Sequence, residues 1–193
     1  MHDGPGTPRA ACLSFYNCFY PICITIFSRS VVPIPASYFM MRRDLLNRLD
    51  KAWRGFRESY AGLSNAELLE PGVSGAWSVR DIIAHVTWWE EEALKHLPLI
   101  MAGGRPPRYS VTYGGIDAFN ARMTEERKEL LLVEVLRRQE DVHRRLVAFI
   151  EQAPDDQLES DTRFRRRLRL DTYGHYPKHE RAIRKWREQR TQT

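Results

Sequence analysis

Cysteine is confined to the first 23 of the 193 residues, at Cys12, Cys18 and Cys23. Three thiols at those spacings match no zinc-ligand pattern and form no even disulfide set. From Pro33 onward there is no cysteine, so the body of the chain relies on no disulfide and on no thiol chemistry of its own. Long apolar runs are also missing. The most apolar stretch, residues 11–27, contains Asn17 and Pro21 and is short for a bilayer span, which argues against a membrane protein. No internal repeat is present, and no segment requires a strand.

Charge is scarce at the start of the chain and concentrated at its end. Residues 1–39 hold only Asp3, Arg9 and Arg29 as charged side chains. Three readings suit that segment: a start codon assigned too far upstream of Met40 and Met41, a secretory signal, or a membrane anchor. The first is preferred, because an amphipathic helix follows directly. Residues 1–40 are therefore read as an extension outside the core and residues 41–190 as one domain, which acts in the cytoplasm. The net charge is +5. Arg163, Arg165, Arg166, Arg167 and Arg169 crowd together, but no nucleic-acid motif and no interleaved aromatics beyond Phe164 accompany them. The stripe is read as a solvated face, and nucleic acid is not expected as a partner.

The domain itself has helical periodicity. Leu45, Leu49, Trp53, Phe56 and Tyr60 recur at steps of three and four across residues 42–61, and Gly62 stands where a C-terminal cap belongs. Ser64 and Glu67 form a capping box for a short turn of helix. Ser78 and Asp81 open a second long helix with Ile82, Ile83, Val86, Trp89, Ala93, Leu94 and Leu97 on its apolar face, its end marked by Pro98 and the Gly103-Gly104-Arg105-Pro106-Pro107 run. Gly103, Gly104, Pro106 and Pro107 begin a connection long enough for a lid or crossover. Residues 116–128 and 133–152 read as one rod with a break near Leu130 to Leu132. Residues 163–170 read as irregular, with Asp171 capping a last helix to about Glu188. Four main helices give an all-α four-helix bundle with a long crossover loop.

Chemistry centres on histidine. His175 and His179 are one helical turn apart, a spacing that lets two imidazoles share an ion. His85 is three residues after Ile82 and four before Trp89, so it points into the bundle or its rim. Each element alone is weak, because a lone core histidine is more often hydrogen-bonded than ligating. Together they predict one divalent metal, zinc, nickel or iron, on three neutral imidazoles with positions left open. Tyr176 follows the first histidine of the pair, where the zincin protease pattern has glutamate, so a protease mechanism is not supported. Pro177 is harmless only if the helix begins just before it. Trp88, Glu92, Tyr173 and Tyr176 are candidates to line a substrate pocket. Asp81 and Asp171 are candidates to orient the imidazoles.

Two segments resemble a known family. Trp77-Ser78-Val79-Arg80-Asp81-Ile82-Ile83-Ala84-His85-Val86, with Trp88-Trp89-Glu90, resembles the second-helix signature of the DinB/YfiT-like four-helix bundles. Asp171-Thr172-Tyr173-Gly174-His175-Tyr176-Pro177-Lys178-His179 resembles their last-helix signature, closest to the ClbS/DfsB branch. The resemblance implies the bundle fold and a divalent ion on one histidine of the second helix and two of the last, matching His85, His175 and His179. It also implies a hydrolase or a thiol-dependent S-transferase acting on a small reactive molecule, with a thiol cofactor in the second case. The alternatives are a metal-free self-protection protein, since some ClbS-like members lack the full histidine set, and a non-catalytic helical binding module. The expected partner is a small-molecule substrate, and the fold is compatible with a homodimer.

Overall fold

The computed structural model describes residues 36–192, and these form helices joined by turns. In chain order they are α1 (Ala36–Tyr60), α2 (Asn65–Leu69), α3 (Val79–Met101), α4 (Tyr109–Thr112), α5 (Ile116–Arg127), α6 (Leu132–Gln152), α7 (Arg163–Asp171) and α8 (Tyr176–Thr191). A 3-10 turn, Asp155–Leu158, lies between α6 and α7. The four long rods are α1, α3, α6 and α8. The expected four-helix bundle is present, and the crossover from α3 to α6 carries α4 and α5. The cysteines, the apolar stretch at 11–27 and most of the proposed 1–40 extension lie outside the described residues.

The bundle is organised around α3, which packs against α6, α7 and α5, while α1 pairs with α8. Sixteen of the 23 residues of α3 are buried, and only Lys95, Pro98 and Leu99 near its end are exposed, so most of its polar side chains lie inside. Arg80, His85, Glu90, Glu92 and His96 are therefore all inside. A buried polar group must find a partner or a ligand, and α3 thus concentrates the chemistry of the molecule.

Local signals fix the starts of the helices. Ser64 and Ser78 each form a reciprocal capping box, with Glu67 and Asp81 respectively. Gly62 adopts a positive φ of 78° just past α1. Long-range arginines then tie helix ends together by donating to carbonyls that a helix C-terminus leaves unpaired. Arg42 of α1 reaches the carbonyls of Ile150, Glu151 and Ala153 at 2.7–3.1 Å. Arg80 donates to the carbonyls of Arg127, Lys128 and Leu130, which pins the break between α5 and α6. Arg187 of α8 donates to the carbonyls of Ser59 and Ala61.

Four expectations are corrected. Residues 163–170 are not irregular: Thr162 caps α7, and Phe164 and Leu168, four apart, bury its inner face. The arginines between them hide that short period but favour helix. Asp171 is the last residue of α7, not the cap of α8, whose N-cap position is taken by His175. Pro98 does not end α3, which runs on to Met101, because a proline in the last turn costs only local hydrogen bonding. Residues 116–128 and 133–152 are two helices, separated where Leu131 takes an extended conformation.

Candidate metal centre

His85 projects from the second turn of α3 into the bundle and is only 4% exposed. The other two imidazoles come from the start of α8. His175 occupies the N-cap position and Tyr176 and Pro177 the first turn, where a missing N–H has no helical partner to lose. Pro177 thus starts the helix that carries the pair instead of kinking it. The pair remains one turn apart and faces α3.

The three rings meet at one point. His85 Nε2 lies 3.1 Å from His175 Nε2, and His179 Nε2 lies 2.9 Å from the same atom. All three ligand atoms fall within 4.8 Å of one another. Burial holds all three rings neutral: the pKa falls from 6.5 to about 2 at His85, to about 3 at His175 and to about 4 at His179. Each imidazole disfavours a charge on the next where they couple, and the Lys178 ammonium adds to the effect at His175 and His179.

Hydrogen bonding alone accounts poorly for this arrangement. His175 Nε2 has one lone pair or one proton, yet it faces two other ring nitrogens. The buried Nδ1 atoms of His85 and His175 find no partner among the described residues. A single cation would use all three Nε2 lone pairs at once. Metal–imidazole bonds of about 2.0–2.1 Å separate neighbouring ligand nitrogens by about 2.8–3.4 Å, for angles from a right angle to tetrahedral. The two observed separations lie in that range. The donor set suits a borderline cation such as zinc, nickel or iron(II).

Tryptophan walls the centre. The His85 ring stands 4.7 Å from Trp88, 4.9 Å from Trp77 and 6.3 Å from Trp89, and His175 is 6.1 Å from Trp89. Trp88, one of the pocket candidates, is therefore at the centre. The other three are elsewhere. Tyr176 is fully buried against Phe56 and Trp53, and its hydroxyl donates to Glu90. Glu92 accepts from Tyr109 and Lys95 and pairs with His96 at 2.9 Å. Tyr173 accepts from Arg165 and borders the groove between α1 and α8. Neither aspartate orients an imidazole through its carboxylate: Asp81 accepts from Ser78 and Arg80, and Asp171 pairs with Arg167.

One functional element escaped the sequence. Glu90 is wholly buried, and its Oε1 takes both the Tyr176 hydroxyl and His143 Nδ1, the latter at 2.8 Å. His143 stacks on Trp53 with ring centroids 3.8 Å apart. Burial pushes the Glu90 carboxyl up, against the pull of its His143 and Tyr176 partners. Because Tyr176 is the residue after His175, this contact fixes the start of α8 against α3 and so sets where the histidine pair stands.

Sequence and structure comparisons agree with this architecture. The family model of the DinB superfamily matches residues 48–182. The chain belongs to the DinB superfamily. Its fold is that of the ClbS/DfsB-type bundles. The colibactin self-resistance protein ClbS, solved in complex with a dsDNA, superposes with a TM-score of 0.64 at 16% identity, over 75% of this chain and 93% of that one. An uncharacterised protein from Escherichia coli UTI89 gives 0.66 at 17% identity, over 78% and 94%. DfsB, described as a sibling lethal factor precursor, gives 0.64 at 15%, over 77% and 96%. No curated protein matches the sequence. Among the described residues, no helix is long and apolar enough to cross a membrane.

Proposed function

We propose that this DinB-superfamily protein is a divalent-metal-dependent enzyme of hydrolase or thiol S-transferase type that acts on a small reactive molecule. His85, His175 and His179 would hold the ion. The reading is carried by one observation: three neutral imidazoles, His85 buried and His175 and His179 half-buried, converge from two helices distant in the chain with no carboxylate among them. A cation on three neutral ligands keeps its full charge, and it supplies a Lewis acid that lowers the pKa of a bound water or thiol.

The protein's own contribution is positional. Trp77, Trp88 and Trp89 exclude bulk water from the His85 side, which strengthens every charge interaction inside. Glu90, through Tyr176, holds the α8 start in register with α3. Residues 41–190 are proposed as the working domain and 1–40 as an extension to it.

The test is metal loading of protein made without a histidine tag. About one zinc per chain should survive reconstitution and dialysis, against less than about a tenth in the His175→Ala, His179→Ala double variant. Wild-type protein that retains no more than the variant overturns the reading.

A second reading is favoured by the fold shared with ClbS: self-protection without a metal. ClbS was solved with dsDNA, so the fold offers no ground for setting nucleic acid aside, as the sequence alone had done. Here the double histidine variant should protect cells from a reactive metabolite as well as wild type does. Duplex DNA should also bind with a steep salt dependence.

A further inference from the structure

The five arginines of α7 are not one face. Arg163 donates to the carbonyls of Gly103 and Gly104 at the start of the crossover. Arg165 holds the Leu158 carbonyl and the Tyr173 hydroxyl. Arg167 pairs with Asp171 and donates to the Tyr109 hydroxyl. These three are structural. Arg166 and Arg169 remain, exposed and three residues apart on the same side of the helix, with no ion pair among the described residues.

A third cation joins them. Lys178, in the first turn of α8, lines the same groove of about 360 Å³ with Arg166, Arg169, Leu170 and Gly174. No acidic side chain borders that groove. Like charges at helical-neighbour spacing are mutually destabilising unless a counter-charge arrives. Gly174 makes the approach of the two helices possible. A Cβ there would stand 2.7 Å from the Arg169 carbonyl oxygen, so only glycine lets the α7–α8 turn close this tightly. The positive end of the α8 dipole adds to the field. Gly174 and Lys178 are the chain neighbours of His175 and His179, so the groove is built on the segment that carries the histidine pair.

We propose that the Arg166–Arg169–Lys178 groove binds an anionic group, a carboxylate or phosphate, of the small molecule handled at the His85/His175/His179 centre. The proposal rests on the functional reading above for what happens to that molecule, but not for the binding of its anionic group. Arginine suits a planar or tetrahedral oxyanion through paired N–H donors, and Leu170, 70% exposed, offers an apolar flank to the rest of the ligand.

The experiment titrates inorganic phosphate into the full-length protein, both zinc-loaded and chelator-treated, and follows the Gly174 backbone amide by NMR. A saturable shift is expected in both forms. In the Arg169→Gln, Lys178→Gln variant, binding should weaken about tenfold or more, the affinity of roughly one charge-assisted hydrogen bond. Both side chains are exposed, and an unchanged amide spectrum elsewhere verifies that the variant is folded. Phosphate binding that the variant leaves intact, or that vanishes on chelation, overturns the groove. So does a Gly174 shift caused by a short DNA duplex but not by phosphate, which would make the groove a nucleic-acid contact. Phosphate binding in a protein that takes up no zinc supports the groove and sinks only the metal reading.

Discussion

Histidine is buried in two different ways in this molecule. His96 and His143 each face a carboxylate, Glu92 at 2.9 Å and Glu90 at 2.8 Å, and tyrosine hydroxyls complete both networks. His85, His175 and His179 face one another and a wall of tryptophans with no carboxylate partner, and the Nδ1 atoms of His85 and His175 have no hydrogen-bond partner among the described residues. In the first arrangement each imidazole has a carboxylate partner, although Glu90 Oε2 is left without one among the described residues. The second brings three imidazoles together with no carboxylate among them, a donor set that a divalent cation would fit. Residue type is the same in both regions, so the partner set is what distinguishes the two kinds of histidine.

Acid should break the comparison most sharply. Burial holds the folded-state pKa of His85, His175 and His179 at about 2, 3 and 4, against 6.5 for the free side chain. Each folded-state value is depressed, so the unfolded chain takes up protons first. The stability they support is full above about pH 6.5 and is lost as pH falls through the window toward about 4. Glu90 has the opposite sign: its raised pKa makes the folded state bind the proton first, so acid favours folding as pH falls from that raised value to the ordinary carboxyl value, and not below it. Metal-free protein should therefore show a thermal midpoint that drops steeply from pH 7 to 4.5, and His85→Leu should flatten the profile. A wild-type midpoint that stays level across that range would remove the claim that the three rings are buried uncharged.

Glu90 tests the carboxylate side. Glu90→Ala strips His143 and Tyr176 of their shared acceptor inside the core, and urea unfolding should register a loss of about 3 kcal/mol. His175→Ala in metal-free protein removes a half-buried ring that pairs with no carboxylate, and should cost about 1 kcal/mol or less. Equal losses would mean that the triad is as much a folding element as the carboxylate network.

The sequence was informative where a residue's neighbours in the chain are also its neighbours in space. His85 shares a helical phase with Ile82 and Trp89, and His175 and His179 are one turn apart, so both halves of the centre were legible. Two matching signatures brought the halves together. Pro177 was ambiguous only because its effect depends on where α8 begins, which the Tyr176–Glu90 contact decides. Glu90 itself was hidden, since a glutamate after two tryptophans reads as the edge of a polar face. Only the packing of α3 against α5, α6 and α7 removes that face. Helix α7 was hidden for a related reason. Its two apolar anchors, Phe164 and Leu168, are set among arginines whose partners lie on the crossover and the α7–α8 turn.

A comparably small effect is expected from the Glu92 network, where redundancy and not a single acceptor holds the parts together. The Tyr109 hydroxyl donates to Glu92 and accepts from Arg167, linking the short helix α4 to α3 and α7. Tyr109→Phe removes that link but leaves no group stranded. Glu92 keeps His96 and Lys95, and Arg167 keeps Asp171. The ring still packs on Phe119 at 4.8 Å and Trp89 at 5.5 Å. A loss of about 1 kcal/mol is expected, the net worth of an ordinary hydrogen bond whose former partners remain satisfied. Amide exchange should quicken across residues 103–115 while the α3 core stays protected, because the hydroxyl anchors the crossover and not the bundle. A loss as large as that of Glu90→Ala would show that the crossover is integral to the fold, and the contrast between a redundant network and a singly anchored one would fail.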